Sequence, residues 1–223
     1  MNRTISILIQ ENLVERDLPG ADTEVLPGVK WGEPWVLFTP AYWVTQAWMA
    51  EIDSKPSKRN PTKDGVVDEL GFCMLGGFGI TAELATAAFE RCSQAGLFAR
   101  YETSSDAWRA ELSAPLQVGP RLIKYRYPNQ KSSFLAAAME FVRTNQLRTD
   151  SGIALREQLM TIKGVGFKIA SWVARNVLDS DEVAILNIHL IRAGQLCGLF
   201  SPDQRVDRHY REMEVACPVF CTK

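Results

Sequence analysis

Apolar positions recur along most of the chain at the three- and four-residue spacing of an amphipathic helix. The predicted helices cover residues 40–49, 66–75, 81–94, 105–108, 130–146, 153–162 and 167–175, and another begins after residue 187. An exposed loop is expected from Asp53 to Gly65, and Gly76-Gly77-Phe78-Gly79 interrupts the helical pattern. No series of alternating strands suits a barrel, a sandwich or a parallel sheet, so the pattern predicts a mainly α fold.

Polar residues mark where several helices should begin. Thr39 is a plausible N-cap ahead of Pro40 at the first helical position. Ser105 is a candidate cap for a short helix, and either Asp150 or Ser151 is a candidate for the helix that follows.

Residues 1–30 have a different pattern, because Ile5, Ile7 and Ile9 alternate with Ser6 and Leu8 as in a short strand and two Pro-Gly turns follow. We predict an N-terminal arm over residues 1–30 and a two-lobed helical domain over residues 31–223.

Composition is that of an ordinary globular protein, with 46% hydrophobic and 23% charged residues in 223. The apolar runs are far shorter than the roughly 20 residues that span a bilayer, and the polar start lacks the core of a signal peptide. The five cysteines are scattered, which favours reduced thiols and offers no four-cysteine spacing for an iron–sulfur cluster. We expect a cytoplasmic monomer without membrane contact, associated with the nucleoid if the source is bacterial.

Charge is distributed unevenly along the chain. Residues 121–175 hold ten basic and three acidic residues, a balance of about +7, whereas the rest of the chain carries about −8. A basic middle segment suits a polyanion such as DNA, although solvated helix faces would give the same pattern.

The predicted helices over 153–162 and 167–175 flank Lys163-Gly164-Val165-Gly166, giving a helix–hairpin–helix at about 153–177. Glycines allow a tight turn and a close approach of a ligand. The hairpin amides and the N-terminus of the second helix suit a phosphate, and hairpin carbonyls can also hold a monovalent cation. An ordinary turn between packed helices is the alternative interpretation.

The residues after the hairpin make a resemblance specific. Asn187, a candidate N-cap, follows Lys168 by nineteen residues and is followed by Ile188-His189. Residues 155–200 resemble the helix–hairpin–helix (HhH-GPD) superfamily of DNA glycosylases, in which a Gly-Val-Gly-x-Lys hairpin precedes an Asp-x-His segment. The segments from Ile162 to Trp172 and Arg175-Asn176 look most like the bacterial and archaeal 8-oxoguanine glycosylase/lyase branch. Gly77-Phe78-Gly79 and the segment Tyr127–Lys131 are similar to that branch as well.

The resemblance implies a role for each matching position. Lys168 would be the nucleophile that forms a Schiff base with the sugar, and His189 would contact the DNA backbone together with hairpin residues Lys163, Gly164, Val165 and Gly166. A lysine amine attacks C1′ only in its neutral form, and a nearby carboxylate would stabilise the positive charge that builds on the sugar. The superfamily has that carboxylate at the position of residue 187.

Asn187 departs from the family pattern, since an amide carries no charge and is no base. The departure has three explanations: an engineered substitution that traps a substrate complex, a natural enzyme with another acid such as Asp179, Asp181 or Glu182, or a protein that binds without turnover. We expect impaired activity in the chain as it stands.

An extruded base must stack on apolar or aromatic groups. The candidates are Trp172, Phe167, Gly77 and Phe78, although core packing or a plain helix break would also explain them. After Glu214 the sequence shows no further helix of the kind that closes the base pocket in the resembling branch. We therefore expect a pocket that is open, completed by the N-terminal lobe or built differently.

The resemblance thus implies a repair glycosylase with abasic-site lyase activity on an oxidised purine, most simply 8-oxoguanine, in double-stranded DNA, with no cofactor beyond the hairpin cation. Two other hypotheses remain open. One is a non-catalytic hairpin module that binds nucleic acid, and the other is a glycosylase for another damaged or mismatched base.

Overall fold

The structure, a computed structural model, describes residues 2–9, 11–53 and 65–221. Over these residues the prediction of a mainly α fold is confirmed. The helices are α1 (Pro40–Asp53), α2 (Val66–Leu75), α3 (Ala82–Gln94), α4 (Ser105–Ser113), α5 (Pro128–Thr144), α6 (Gly152–Leu159), α7 (Phe167–Leu178), α8 (Ile188–Leu196) and α9 (Val206–Cys221). Three antiparallel hairpins pair β1 (Arg3–Ile9) with β2 (Asn12–Leu18), β3 (Glu24–Leu26) with β4 (Val29–Lys30), and β5 (Leu116–Val118) with β6 (Arg121–Ile123).

The chain forms two compact units, one of residues 1–58 and 186–223 and the other of residues 59–185. In the first unit, Leu18, Val25 and Trp31 pack with Ala41 at the start of α1 in one apolar cluster. Ile5 of β1 packs against the same cluster, so the expected short strand is one half of a hairpin.

The second unit is a helical core with one β-hairpin. Its central cluster includes Trp108, which is fully buried and donates its indole N–H to the carbonyl of Glu102 at 2.8 Å. The rings of Phe89 and Phe98 stack at 5.0 Å beside it. Leu116 anchors the hairpin of β5 and β6 in this core.

Two of the predicted caps are confirmed at the starts of α1 and α6. The Thr39 hydroxyl accepts a hydrogen bond from the backbone N–H of Tyr42, and that of Ser151 accepts one from Ala154. The prediction of Ser105 as a cap is wrong, because Ser105 is already helical and Ser104 precedes it as the N-cap residue.

The chain after Glu214 is helical, since residues 216–221 continue α9. Tyr210, Met213 and Cys217 are buried at helical spacing, which holds the helix in place along one face. Within the described part of the chain, no helix has the length and apolar character needed to cross a membrane. The loop predicted from Asp53 to Gly65 falls mostly on residues 54–64, which lie outside the described residues.

Candidate active site

The predicted hairpin lies between α6 and α7 and is anchored by its apolar residues. The backbone N–H of Val165 donates to the carbonyl of Ile162 at 3.0 Å, closing a four-residue turn, and both side chains are buried. Lys163, Gly164 and Gly166 are exposed. Gly166 is the N-cap residue of α7 and supplies no side-chain cap to the first-turn N–H groups, unlike Ser151 at the start of α6.

Gly164 is required by both conformation and space. Its φ is +89°, in the region that favours glycine, and a Cβ there would lie 2.3 Å from Cδ2 of Phe134 on α5. The ammonium of Lys163 lies 5.9 Å from the centre of the same ring. The hairpin therefore rests on α5 through one aromatic ring.

A cavity of about 710 Å³ opens beside the hairpin in the second unit, a size within the usual range of ligand pockets. Its lining residues are Phe72, Cys73, Gly76, Gly77, Phe78, Ile80, Thr81, Ala82, Ala85, Lys131, Gly166, Lys168, Ile169 and Trp172. The structure thus brings together four residues predicted for the site, Lys168, Trp172, Gly77 and Phe78, with hairpin residue Gly166. The charged side chains among these lining residues are two lysines, and none of these lining residues is a carboxylate.

Lys168 enters this cavity from the first turn of α7. Its Nζ lies 5.9 Å from the centre of the Trp172 ring, four residues further along the same helix face. Phe167 is adjacent to Lys168 in sequence and therefore points elsewhere on the helix. Its ring lies 5.8 Å from the guanidinium carbon of Arg156, and it is not among the residues that line the cavity.

Phe78 also lines the cavity and is 88% exposed. The guanidinium carbon of Arg126 lies 6.0 Å from its ring centre. Gly79 has a φ of +72°, and a Cβ on it would meet the Arg126 side chain at 2.1 Å. The lack of a side chain at Gly79 therefore lets Arg126 approach the ring of Phe78.

Lys131 lines the cavity as well, although the sequence did not predict it as a site residue. It lies in the Tyr127–Lys131 segment that carries the resemblance. Its Nζ donates to the carbonyl oxygens of Met74 and, at 2.8 Å, of Gly76. Burial lowers the pKa of Lys131. The amine is thus held against the end of α2 at the edge of the cavity.

A buried polar cluster lies between α2 and α7. The amide of Asn176 donates to Oε1 of Glu69 at 2.7 Å, and the thiol of Cys73 donates to the same oxygen at 3.7 Å. Glu69 is 1% exposed, and its Oε2 has no hydrogen-bond partner among the described residues. Burial and the Glu69 charge raise the pKa of the Cys73 thiol, so this lining residue is a protonated thiol.

Asn187 and His189 lie in the other unit, at the start of α8. The side-chain oxygen of Asn187 accepts hydrogen bonds from the backbone N–H groups of His189 and Leu190, both at 2.9 Å, which confirms the predicted N-cap. His189 itself is exposed. An aspartate at position 187 could accept the same two hydrogen bonds, so either residue would cap α8.

Two of the alternative acids serve helix ends in the second unit. Asp179 is the C-cap residue of α7 in the left-handed conformation, eleven residues beyond Lys168, which corresponds to about 16 Å along the helix. Glu182 accepts a hydrogen bond from the backbone N–H of Gly152 at 2.6 Å and so caps α6. Neither lines the cavity that contains Lys168.

The helix–hairpin–helix, Lys168 and the start of α8 all fall within the range of one known family. The model of that family, described as 8-oxoguanine DNA glycosylase, matches residues 50–223. The chain has no significant match among curated proteins or among solved structures. The chain therefore belongs to the 8-oxoguanine DNA glycosylase (Ogg-HhH) family, whose substrate is DNA.

Proposed function

We propose that the protein removes an oxidised purine, 8-oxoguanine, from double-stranded DNA and cleaves the resulting abasic site through a Schiff base on Lys168. The observation that carries this proposal is the position of Lys168. It lies on the first turn of α7, after the hairpin, and lines a cavity of about 710 Å³ together with Trp172 and the Gly77-Phe78 wall. A lysine in this position favours lyase chemistry over simple hydrolysis.

The reaction uses only groups of the chain, the substrate and water. The Lys168 nitrogen attacks C1′ with its lone pair, the N-glycosidic bond breaks, and the base leaves with the bonding electrons and takes up a proton that this nitrogen releases. Loss of protons from nitrogen and opening of the sugar ring give the Schiff base. Water takes up a C2′ proton, the bond to the 3′ phosphate breaks and the phosphate leaves with its electrons. A second water then hydrolyses the imine and releases Lys168.

In this proposal, the residue at position 187 affects the rate of the reaction. An aspartate would stabilise positive charge on the sugar and relay protons, whereas asparagine keeps only the N-cap of α8. Glu182 caps α6, and neither Glu182 nor Asp179 lines the cavity that contains Lys168, which disfavours them as substitutes. We therefore expect the chain as it stands to be slower than its Asn187→Asp form.

The base pocket of the proposal is the cavity itself. Trp172 and Phe78 offer aromatic faces for an extruded purine, and Gly77 leaves room for a base edge to approach backbone. Hairpin residues 163–166 and His189 are assigned to the DNA phosphates. Support comes from the exposed Lys163 and from the uncapped N-terminus of α7, which suits an anion.

Borohydride trapping tests the proposal, because borohydride reduces a Schiff base to a stable amine. The proteins are the chain, its Asn187→Asp form, and that form combined with Lys168→Ala or, as a matched lysine control, with Lys163→Ala. Each is incubated with 8-oxoguanine, uracil-mismatch and abasic duplexes.

The expected result is an adduct that grows with Asn187→Asp, disappears with Lys168→Ala and persists with Lys163→Ala. An 8-oxoguanine preference over the uracil mismatch would identify the lesion. Tight DNA binding with no adduct in any form that retains Lys168 would refute the enzyme and leave the hairpin as a binding module, the function that Asn187 favours.

A further inference from the structure

Three consecutive carbonyls at the end of α2 are held by side chains from one distant segment. Tyr125 donates its hydroxyl to the carbonyl of Leu75 at 2.5 Å, and Lys131 donates to those of Met74 and Gly76. The last carbonyls of a helix have no partner within the helix. A cation at that end also interacts favourably with the helix dipole. The segment 125–131 therefore closes the end of α2.

Lys131 closes this end of α2 where the helix borders the cavity. It lines the cavity along with Gly76, Gly77 and Phe78, and a Cβ on Gly77 would lie 3.7 Å from its Nζ. The loop after α2 has a short internal bond, from the N–H of Ile80 to the carbonyl of Gly77 at 3.1 Å. Lys131 is half-buried, and an amine in such a place must have its donors satisfied. Its two carbonyl bonds meet this need and fix the loop.

The geometry points to Lys131 as a positioning residue that shapes the Gly76–Phe78 wall of the base pocket and thereby sets the preference for a damaged base over an abasic site. This inference rests on the proposed function. Lys168 reacts with the sugar in both substrates, whereas the wall is needed only when a base occupies the cavity. Loss of Lys131 should therefore weaken binding of the damaged base more than binding of the abasic site.

Fluorescence anisotropy of the chain as it stands gives a test that requires no catalysis. The affinity for an 8-oxoguanine duplex is divided by that for the same duplex carrying tetrahydrofuran, a stable abasic analogue. We expect Lys131→Met to lower this ratio about tenfold or more, with the tetrahydrofuran affinity changed by less than about threefold. Lys124→Met, which removes an exposed charge from the same basic segment, should leave the ratio unchanged.

Hydrogen exchange measures the positioning directly. In Lys131→Met, amide exchange at residues 76–80 should rise about tenfold or more while exchange in α3 stays the same. Lys131→Arg, which keeps donors at this position, should recover part of both the exchange protection and the affinity ratio.

Several outcomes would overturn the inference: a parent chain that does not prefer the lesion, an equal loss of both affinities, an unchanged ratio, or a fallen ratio with unchanged exchange. The last would mean that Lys131 contacts the base itself. Failure of the proposed function is distinguished by trapping, since absence of an adduct in the Asn187→Asp form concerns Lys168 and not the pocket wall.

Discussion

The two glycines of the hairpin allow a sharp test of how it is built. Gly164 has a φ of +89° and faces Phe134, while Gly166 has a φ of −105° and no atom within 4 Å of a Cβ built on it. Alanine at each position adds the same methyl group to the same exposed turn. The two substitutions should nevertheless differ greatly in their effect on the free energy of unfolding.

For Gly164→Ala, a left-handed conformation without glycine costs about 1–3 kcal/mol. The contact of 2.3 Å with Phe134 forces that half-buried ring to move, and such overpacking costs about 1–3 kcal/mol more. We expect a total loss of about 2–6 kcal/mol. For Gly166→Ala, the poorer N-cap of about 1 kcal/mol is offset by the smaller entropy of the unfolded chain, about 0.4–1 kcal/mol.

Urea unfolding of both variants, followed by fluorescence and circular dichroism, measures the difference. Coincident transitions by the two probes would establish that the free energies are comparable. Equal losses for the two variants, or a loss below about 1 kcal/mol for Gly164→Ala, would refute the reasoning, because the turn would then not depend on the conformation and close packing of Gly164.

Three further predictions concern stability. Ser151→Ala should lower the free energy of unfolding by about 1 kcal/mol through loss of the α6 cap, whereas Asp150→Ala should change it by less than about 0.5 kcal/mol. The denaturant midpoints of the two variants measure the difference, and equal losses would contradict the assignment of Ser151 as the cap. Tyr125→Phe should cost about 1–2 kcal/mol by leaving its carbonyl acceptor on α2 unpaired, with Tyr127→Phe as the control that should change little in the same assay. Burial raises the pKa of the Cys92 thiol to about 12, whereas a thiol in the unfolded chain has a pKa of about 8.5. Above pH ~8.5 the unfolded state therefore releases a proton that the native state keeps. The free energy of unfolding should then fall by up to about 1.4 kcal/mol per pH unit. Cys92→Ala should flatten this slope between pH ~9 and ~10.5, and an unchanged slope would refute the assignment.

Local patterns predicted the elements well because they depend on neighbours in sequence. The helix over 66–75 matches α2 residue for residue, and the Lys163–Gly166 turn follows from two glycines. The β3–β4 and β5–β6 hairpins were not predicted, because strands of two or three residues carry too little alternation to be recognised. The relation of Trp172 and Phe167 to Lys168 follows from helical spacing, since residues four apart share a face and adjacent residues do not.

The sequence by itself determined the mainly helical fold, the hairpin and the place of Lys168 after it, all of which depend on short spacings. Only the tertiary structure decided what surrounds Lys168. The bond between Lys131 and Gly76 spans 55 residues, and Glu182, a candidate acid by sequence, serves instead to cap α6. Contacts between distant segments arise from the packing of whole helices, and one sequence carries no periodic pattern that reports which distant side chains will meet.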